Sequence, residues 1–265
     1  MSDLAPVSEE YAARFGGIAR VYGVEAAEQI RGMHIAVIGV GGVGSWAVEC
    51  LARTGVGEIT LIDHDDICQT NINRQIHAQS STLGENKIVV MAERVCQINP
   101  DCQCHVIDDF LTMATMEEYL SRGYDYVIDA IDSIKFKAEL INYCQRNKIP
   151  VITTGGAGGM TDPVQVTVAD LSRTTNDALA AKLRSRLRQE YGFARNPKKK
   201  FGIECVYSPQ QPVYPKEDGS VGYEKPGIHG VNLDCRFGYG SFSGVTATFG
   251  FIAASRAINR LLKLV

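Results

Sequence analysis

The chain alternates short runs of β-branched and aliphatic residues with longer segments in which apolar residues recur every three or four positions. Residues 34–38 (HIAVI) form a short run rich in β-branched residues, the pattern of a buried parallel strand. Ala47, Val48, Leu51 and Ala52 then repeat at helical spacing, and residues 58–62 (EITLI) form a second such run. Ile88, Met91, Ala92, Val95 and Ile98 mark an amphipathic helix that Asn99-Pro100 closes. The pattern continues with strand 104–107, a helix near 116–120, strand 126–128, helix 134–146 and strand 151–153. Strands alternating with helices predict a doubly wound, mostly parallel sheet with helices on both faces.

The flanks read differently. Residues 1–33 predict a helical arm ahead of a nucleotide-binding core at 34–170. After Thr153 a glycine-rich turn (residues 155–159) is followed by Val164, Val166 and Val168, which alternate as a strand. Residues 177–191 predict a basic helix, residues 208–234 a loop rich in Pro and Gly, and residues 249–264 a closing helix. Residues 171–265 are thus expected as an irregular C-terminal extension within a single 265-residue domain.

Composition narrows the classes. A net charge of −3 excludes a chain that is polybasic throughout. The chain starts without a basic segment leading into an apolar run, so a cytoplasmic protein with reduced thiols is expected. Its eight cysteines include no C-x-x-C pair, and no zinc is expected. Residues 237–258 are apolar enough to raise peripheral membrane contact, but their Ser, Thr, Gly and Arg content reads as a buried loop and helix.

The candidate chemistry starts at Gly39-Val40-Gly41-Gly42-Val43-Gly44, a G-x-G-x-x-G turn between a strand and a helix. Gly39, Gly41, Gly42 and Gly44 let the backbone approach a nucleotide, and the helix N-terminus favours phosphate. Asp63, at the end of the second strand, is placed to bond a ribose hydroxyl. The turn alone does not separate NAD, FAD, S-adenosylmethionine and ATP. Residues 63–83 form a long polar loop carrying Asn71, Arg74 and Gln75, and Lys87 opens the next helix. Two cations beside the glycine turn suit a triphosphate and its departing pyrophosphate better than a dinucleotide. Asn71 is expected to bond phosphate or ribose oxygens. In Asp129-Ala130-Ile131-Asp132, at the carboxyl edge of the sheet, Asp132 is the candidate Mg²⁺ ligand, whereas Asp129 either joins it or caps the next helix.

Together Gly39–Gly44, Asp63, Asn71, Arg74-Gln75, Lys87 and Asp129-x-x-Asp132 resemble the ubiquitin-activating-enzyme-like adenylyltransferases, a Rossmann-like family. The resemblance implies ATP and Mg²⁺, with Arg74, Lys87 and Asp132 as the catalytic residues. It also implies a homodimer in which an arm arginine, Arg14 or Arg20, reaches the partner's nucleotide. The arm (residues 14–20), GVGSW (42–46), TNINRQ (70–75), DAIDS (129–133), TTGGAGG (153–159) and Asp170-Leu171-Ser172 resemble one branch, the tRNA threonylcarbamoyladenosine dehydratases. That branch implies adenylation of a threonyl carboxylate on tRNA, followed by ring closure.

A basic window fits such a partner: Lys182, Arg184, Arg186, Arg188, Arg195, Lys198, Lys199 and Lys200. A solvated helix face is the alternative reading. Cys235, beside Arg236, is either a packing residue or a reactive thiol. A sulfur-transfer protein is a further candidate partner. Two other functions compete: adenylation of the C-terminal glycine of a ubiquitin-like sulfur carrier, against which the missing C-x-x-C pairs and the basic window argue, and NAD-dependent oxidoreduction, against which Arg74, Lys87 and Asp132 argue.

Overall fold

The computed structural model describes residues 7–196, 198–216, 218–224 and 240–265. Its arm is two helices, α1 (Glu9–Tyr22) and α2 (Val24–Arg31). The core follows as β1 (His34–Ile38), α3 (Gly44–Arg53), β2 (Glu58–Asp63), α4 (Lys87–Ile98), β3 (Gln103–Asp108), α5 (Met116–Leu120), β4 (Tyr126–Asp129), α6 (Ile134–Arg146) and β5 (Val151–Thr154). The remainder is β6 (Thr167–Asp170), α7 (Ala178–Glu190), β7 (Glu204–Tyr207), a small hairpin of β8 (Tyr214–Pro215) and β9 (Val221–Gly222), and α8 (Ser243–Leu261).

Seven strands form one sheet in the order β3-β2-β1-β4-β5-β7-β6. All pairs are parallel except β6 with β7. Side chains alternate across a strand, so β1 divides its residues between two cores. Ile35 and Val37 pack with α3, α4 and α8; Ala36 and Ile38 face the side covered by α5, α6 and α7. Burial on both faces explains why β1, β2, β4 and β5 lack a regular polar alternation.

The chain runs outward from β1 to β2 and β3, then returns to β4 on the other side of β1. This reversal opens a crevice between the carboxyl ends of β1 and β4, where ligands bind in such sheets. Asn86 accepts from the Ile88 N–H at 3.1 Å and so starts α4 with Lys87 at its first position.

Three expectations need correction. Residues 163–165 form a 3₁₀ turn rather than strand, because Pro163 lacks an N–H and Asp162 caps the turn; the strand starts at Thr167. Residues 204–207, not expected as strand, form β7 and pair parallel to β5. The last helix begins at Ser243, six residues before the expected start. Its Val245, Phe249, Ala253, Ala254 and Ala257 are fully buried, packed with α3. No helix among the described residues is long and apolar enough to cross a membrane.

Candidate active site

The crevice is a cleft of about 760 Å³. Gly39, Gly41, Gly42, Asp63, Asn71, Arg74, Gln75, Lys87 and Asp132 all line it. Gly39 has φ of +85°, and a Cβ there would press on the Ala130 carbonyl, so only glycine lets β1 turn tightly against β4. Gly44 departs from expectation. It is buried and lines no part of the cleft, and a Cβ there would overlap the Gly39 carbonyl oxygen. Its role is to let α3 close onto the turn.

Asp63 is held by three backbone N–H donors: Val40 at 2.6 Å, His64 at 2.8 Å and Asp65 at 2.9 Å. The carboxylate thus ties the glycine turn to the end of β2; Oδ1 accepts from both His64 and Asp65, and Oδ2, which accepts from Val40 alone, retains a lone pair for a hydroxyl donor. Asn71 is buried, and its Oδ1 accepts from the Cys68 N–H at 3.1 Å. Gln75 is also buried, close to Gly41, and its Oε1 has no partner among the described residues.

Arg74 lies across Gly42, its Cγ and Cδ 3.3 Å from where a Cβ would stand. Its guanidinium donates to the Thr70 carbonyl at 2.6 Å and to Asn73 Oδ1 at 3.1 Å. Among the described residues it has no carboxylate partner, which leaves its charge available to an anion. The Lys87 ammonium is buried and donates to Asp65 Oδ2 at 2.7 Å. Asp65, two residues beyond Asp63, was not singled out from sequence. Asp132 is exposed, and among the described residues its carboxylate makes no hydrogen bond or ion pair.

Asp129 neither lines the cleft nor caps α6, where Ser133 holds the cap position. It is fully buried. Its Oδ2 accepts from Thr153 Oγ1 at 2.6 Å and pairs with the fully buried Lys137 ammonium at 3.0 Å. Lys137 lies eight residues on, along the buried face of α6; that spacing was the available signal for it. The same region holds Asp177, which caps α7 through Ala180 N–H at 2.8 Å and accepts from Gly156 N–H at 3.0 Å. Burial pushes the Asp177 carboxyl above its usual range. Gly156 and Leu179 both line the cleft, so the start of the basic helix braces its floor.

Neither Arg14 nor Arg20 enters the cleft of its own chain. Arg14 pairs with Glu10 and donates to the carbonyls of Gln97 and Ile98 at the end of α4, while Arg20 is exposed in the last turn of α1. The basic window divides. Lys182, Arg195, Lys198, Lys199 and Lys200 are exposed. Arg184, Arg186 and Arg188 are half-buried and engaged within the fold: Arg184 with Thr174, Arg186 with Glu190 at 2.9 Å, and Arg188 over the Phe201 ring. Arg184 and Arg188, one turn apart on α7, turn toward the body of the protein, and Arg186 pairs within the helix with Glu190, which a charge count does not show. Cys235 and Arg236 lie outside the described residues.

A doubly wound sheet with a glycine turn, a carboxylate at the end of β2 and two cations at its switch point has the build of a nucleotide-binding α/β protein. The chain matches the ThiF family over residues 15–264 and belongs to it. It is 53% identical over 257 residues to tRNA threonylcarbamoyladenosine dehydratase of Escherichia coli K12, covering 97% of this chain and 96% of that one. To the enzyme of the same name from Haemophilus influenzae it is 54% identical, over 96% and 95%. A crystal structure of the E. coli dehydratase in complex with ATP superimposes with a TM-score of 0.88 at 50% identity, covering 98% of both chains.

Proposed function

We propose that this chain is an ATP-dependent tRNA threonylcarbamoyladenosine dehydratase of the cytoplasm. The observation that carries the reading is near full-length likeness, above half identity, to relatives of that name. The cleft suits the chemistry. A free carboxylate resists nucleophiles, and transfer of AMP to it supplies a leaving group. In this reading ATP lies along the glycine turn with its ribose on Asp63. The substrate's threonyl carboxylate attacks the α-phosphorus, and the bond to pyrophosphate breaks. Arg74 and Lys87 offset charge on the pyrophosphate as it departs. The carbamoyl group of the same substrate then attacks the activated carbonyl and AMP leaves, so the nucleoside has lost one water. Ring closure within one molecule gains from proximity and needs no covalent enzyme intermediate.

The free carboxylate of Asp132 fits Mg²⁺, which takes one or two carboxylates and otherwise phosphate oxygens and water. Bound there, the ion would neutralise phosphate charge. Exposed Lys182, Lys198, Lys199 and Lys200 are the proposed tRNA contacts. The proposal extends to a homodimer in which Arg20 serves the partner's nucleotide.

Purified protein with ATP and tRNA carrying threonylcarbamoyladenosine should release pyrophosphate, and the nucleoside should lose one water by mass. Arg74→Ala should lower turnover by about 10²–10³, and Asp132→Asn should raise the Mg²⁺ concentration required. Intact modified tRNA that stays unchanged while ATP is not split would sink the reading, and a ubiquitin-like sulfur carrier would be tried next.

A further inference from the structure

Three parallel strands begin side by side at the edge of the sheet opposite the cleft, and their register gathers a second set of chemical groups. His34 of β1 stands beside Glu58 of β2, and Thr60 of β2 stands beside His105 of β3. Period-two alternation puts all four side chains on one face. The two imidazoles converge over the carboxylate. His105 Nε2 lies 2.9 Å from Glu58 Oε1, and His34 Nδ1 lies 3.4 Å from the same oxygen. One ligand atom from each of His34, Glu58 and His105 falls within 4.8 Å of the others.

We propose that His34, Glu58 and His105 form a binding site for a divalent transition ion such as Zn²⁺, remote from the nucleotide cleft. Two imidazoles and one carboxylate are a donor set that borderline ions favour over Mg²⁺ or Ca²⁺. The absence of C-x-x-C pairs bears only on thiolate sites. His34 carries the further feature expected of a ligand. Its other nitrogen, Nε2, is 2.9 Å from Thr60 Oγ1, a hydroxyl able to accept the Nε2–H and leave the Nδ1 lone pair facing Glu58. The Tyr124 ring packs edge-on against the imidazole at 4.7 Å and holds its plane. Glu58 and His105 are partly exposed, which gives an ion an entry path and leaves coordination positions for water. The ion would clamp β1, β2 and β3 together and thereby stabilise the sheet without entering the reaction.

The test uses chelator-treated full-length protein titrated with Zn²⁺ in a calorimeter and with Co²⁺ in a visible spectrophotometer. One Zn²⁺ should bind per chain, and the melting temperature should rise with Zn²⁺ concentration. His105→Ala and Glu58→Gln should each weaken binding by more than roughly the 10–100-fold that losing a supporting partner costs. Both variants should keep the wild-type circular dichroism and ATP affinity. The Co²⁺ complex should lack a thiolate charge-transfer band. Zn²⁺ binding equal in wild type and both variants, a thiolate band pointing to exposed Cys68 or Cys96, or no Zn²⁺ binding at all would each overturn the proposal, the last leaving a hydrogen-bonded His–Glu–His cluster only.

Discussion

The indole N–H of Trp46 donates to the main-chain carbonyl of Arg74 at 2.9 Å. This bond joins the first turn of α3 to the polar loop that carries the cleft's free cation. The Trp46 ring also meets Phe251 of α8 edge-on at 5.9 Å, so the loop, α3 and α8 share one anchor. Trp46→Phe keeps the ring and removes the donor. It should cost about 1–2 kcal/mol in denaturant unfolding and weaken ATP binding more than substitution of Phe251. Trp46 is the sole tryptophan, so its emission should change when nucleotide binds, and titration of that signal supplies the affinity.

Two glycines of the same turn should separate folding from binding. A Cβ on Gly44 has no room under the Gly39 carbonyl, and Gly44→Ala should destabilise by about 3 kcal/mol or more. A Cβ on Gly41 would meet its nearest neighbour, Gln75 Nε2, at 3.9 Å. Gly41→Ala should therefore melt like wild type while KM for ATP rises, because the methyl projects where the phosphates approach. Thermal melts beside ATP titrations check both halves.

The buried pair of Lys137 and Asp129 should behave asymmetrically. Lys137→Met leaves a carboxylate buried with only Thr153 and backbone donors, and should cost about 3–5 kcal/mol. The double substitution Asp129→Asn with Lys137→Met removes both charges and should recover most of that loss. Urea unfolding of the two variants and of wild type decides it; equal losses would mean the pair contributes nothing beyond packing.

His77 makes stability depend on acid. Burial first, then the charges of Lys87 and Arg94, push its imidazole down to about 4. Neither ring nitrogen has a hydrogen-bond partner among the described residues. The unfolded chain takes up this proton near pH 6.5, but the folded chain resists until about pH 4. Stability from this group is therefore complete above pH 6.5 and drains away as pH falls toward 4, by about 3 kcal/mol at most. Unfolding free energies measured from pH 7.5 to 4 should fall more steeply for wild type than for His77→Leu. Parallel profiles would remove His77 as the cause.

Much of the frame was legible in the chain itself. Short aliphatic runs, helical repeats between them and the glycines at 39–44 are local patterns, and local backbone preference turns them into β1 to β5 and the intervening helices, with burial on both faces adding to it for β1, β2, β4 and β5. The same locality brought Asp63, Asn71, Arg74, Lys87 and Asp132 to attention, since each stands at a strand end or in the loop that a doubly wound sheet turns toward its crevice. Tertiary structure alone decided the rest. Spacing puts Lys137 on the same face of α6 as Ile141 and Cys144, but only the docking of that helix brings it to Asp129. Arg184 and Arg188 read as part of a free basic stripe until α7 packs and sets them on Thr174 and Phe201, whereas the Arg186–Glu190 pair is an i,i+4 contact within α7 itself. His34, Glu58 and His105 are separated by 24 and 47 positions, and only the register of three parallel strands brings their ligand atoms together. Periodicity encodes which way a side chain faces within its own element; which residue it meets depends on how distant elements pack, and that is a property of the whole fold.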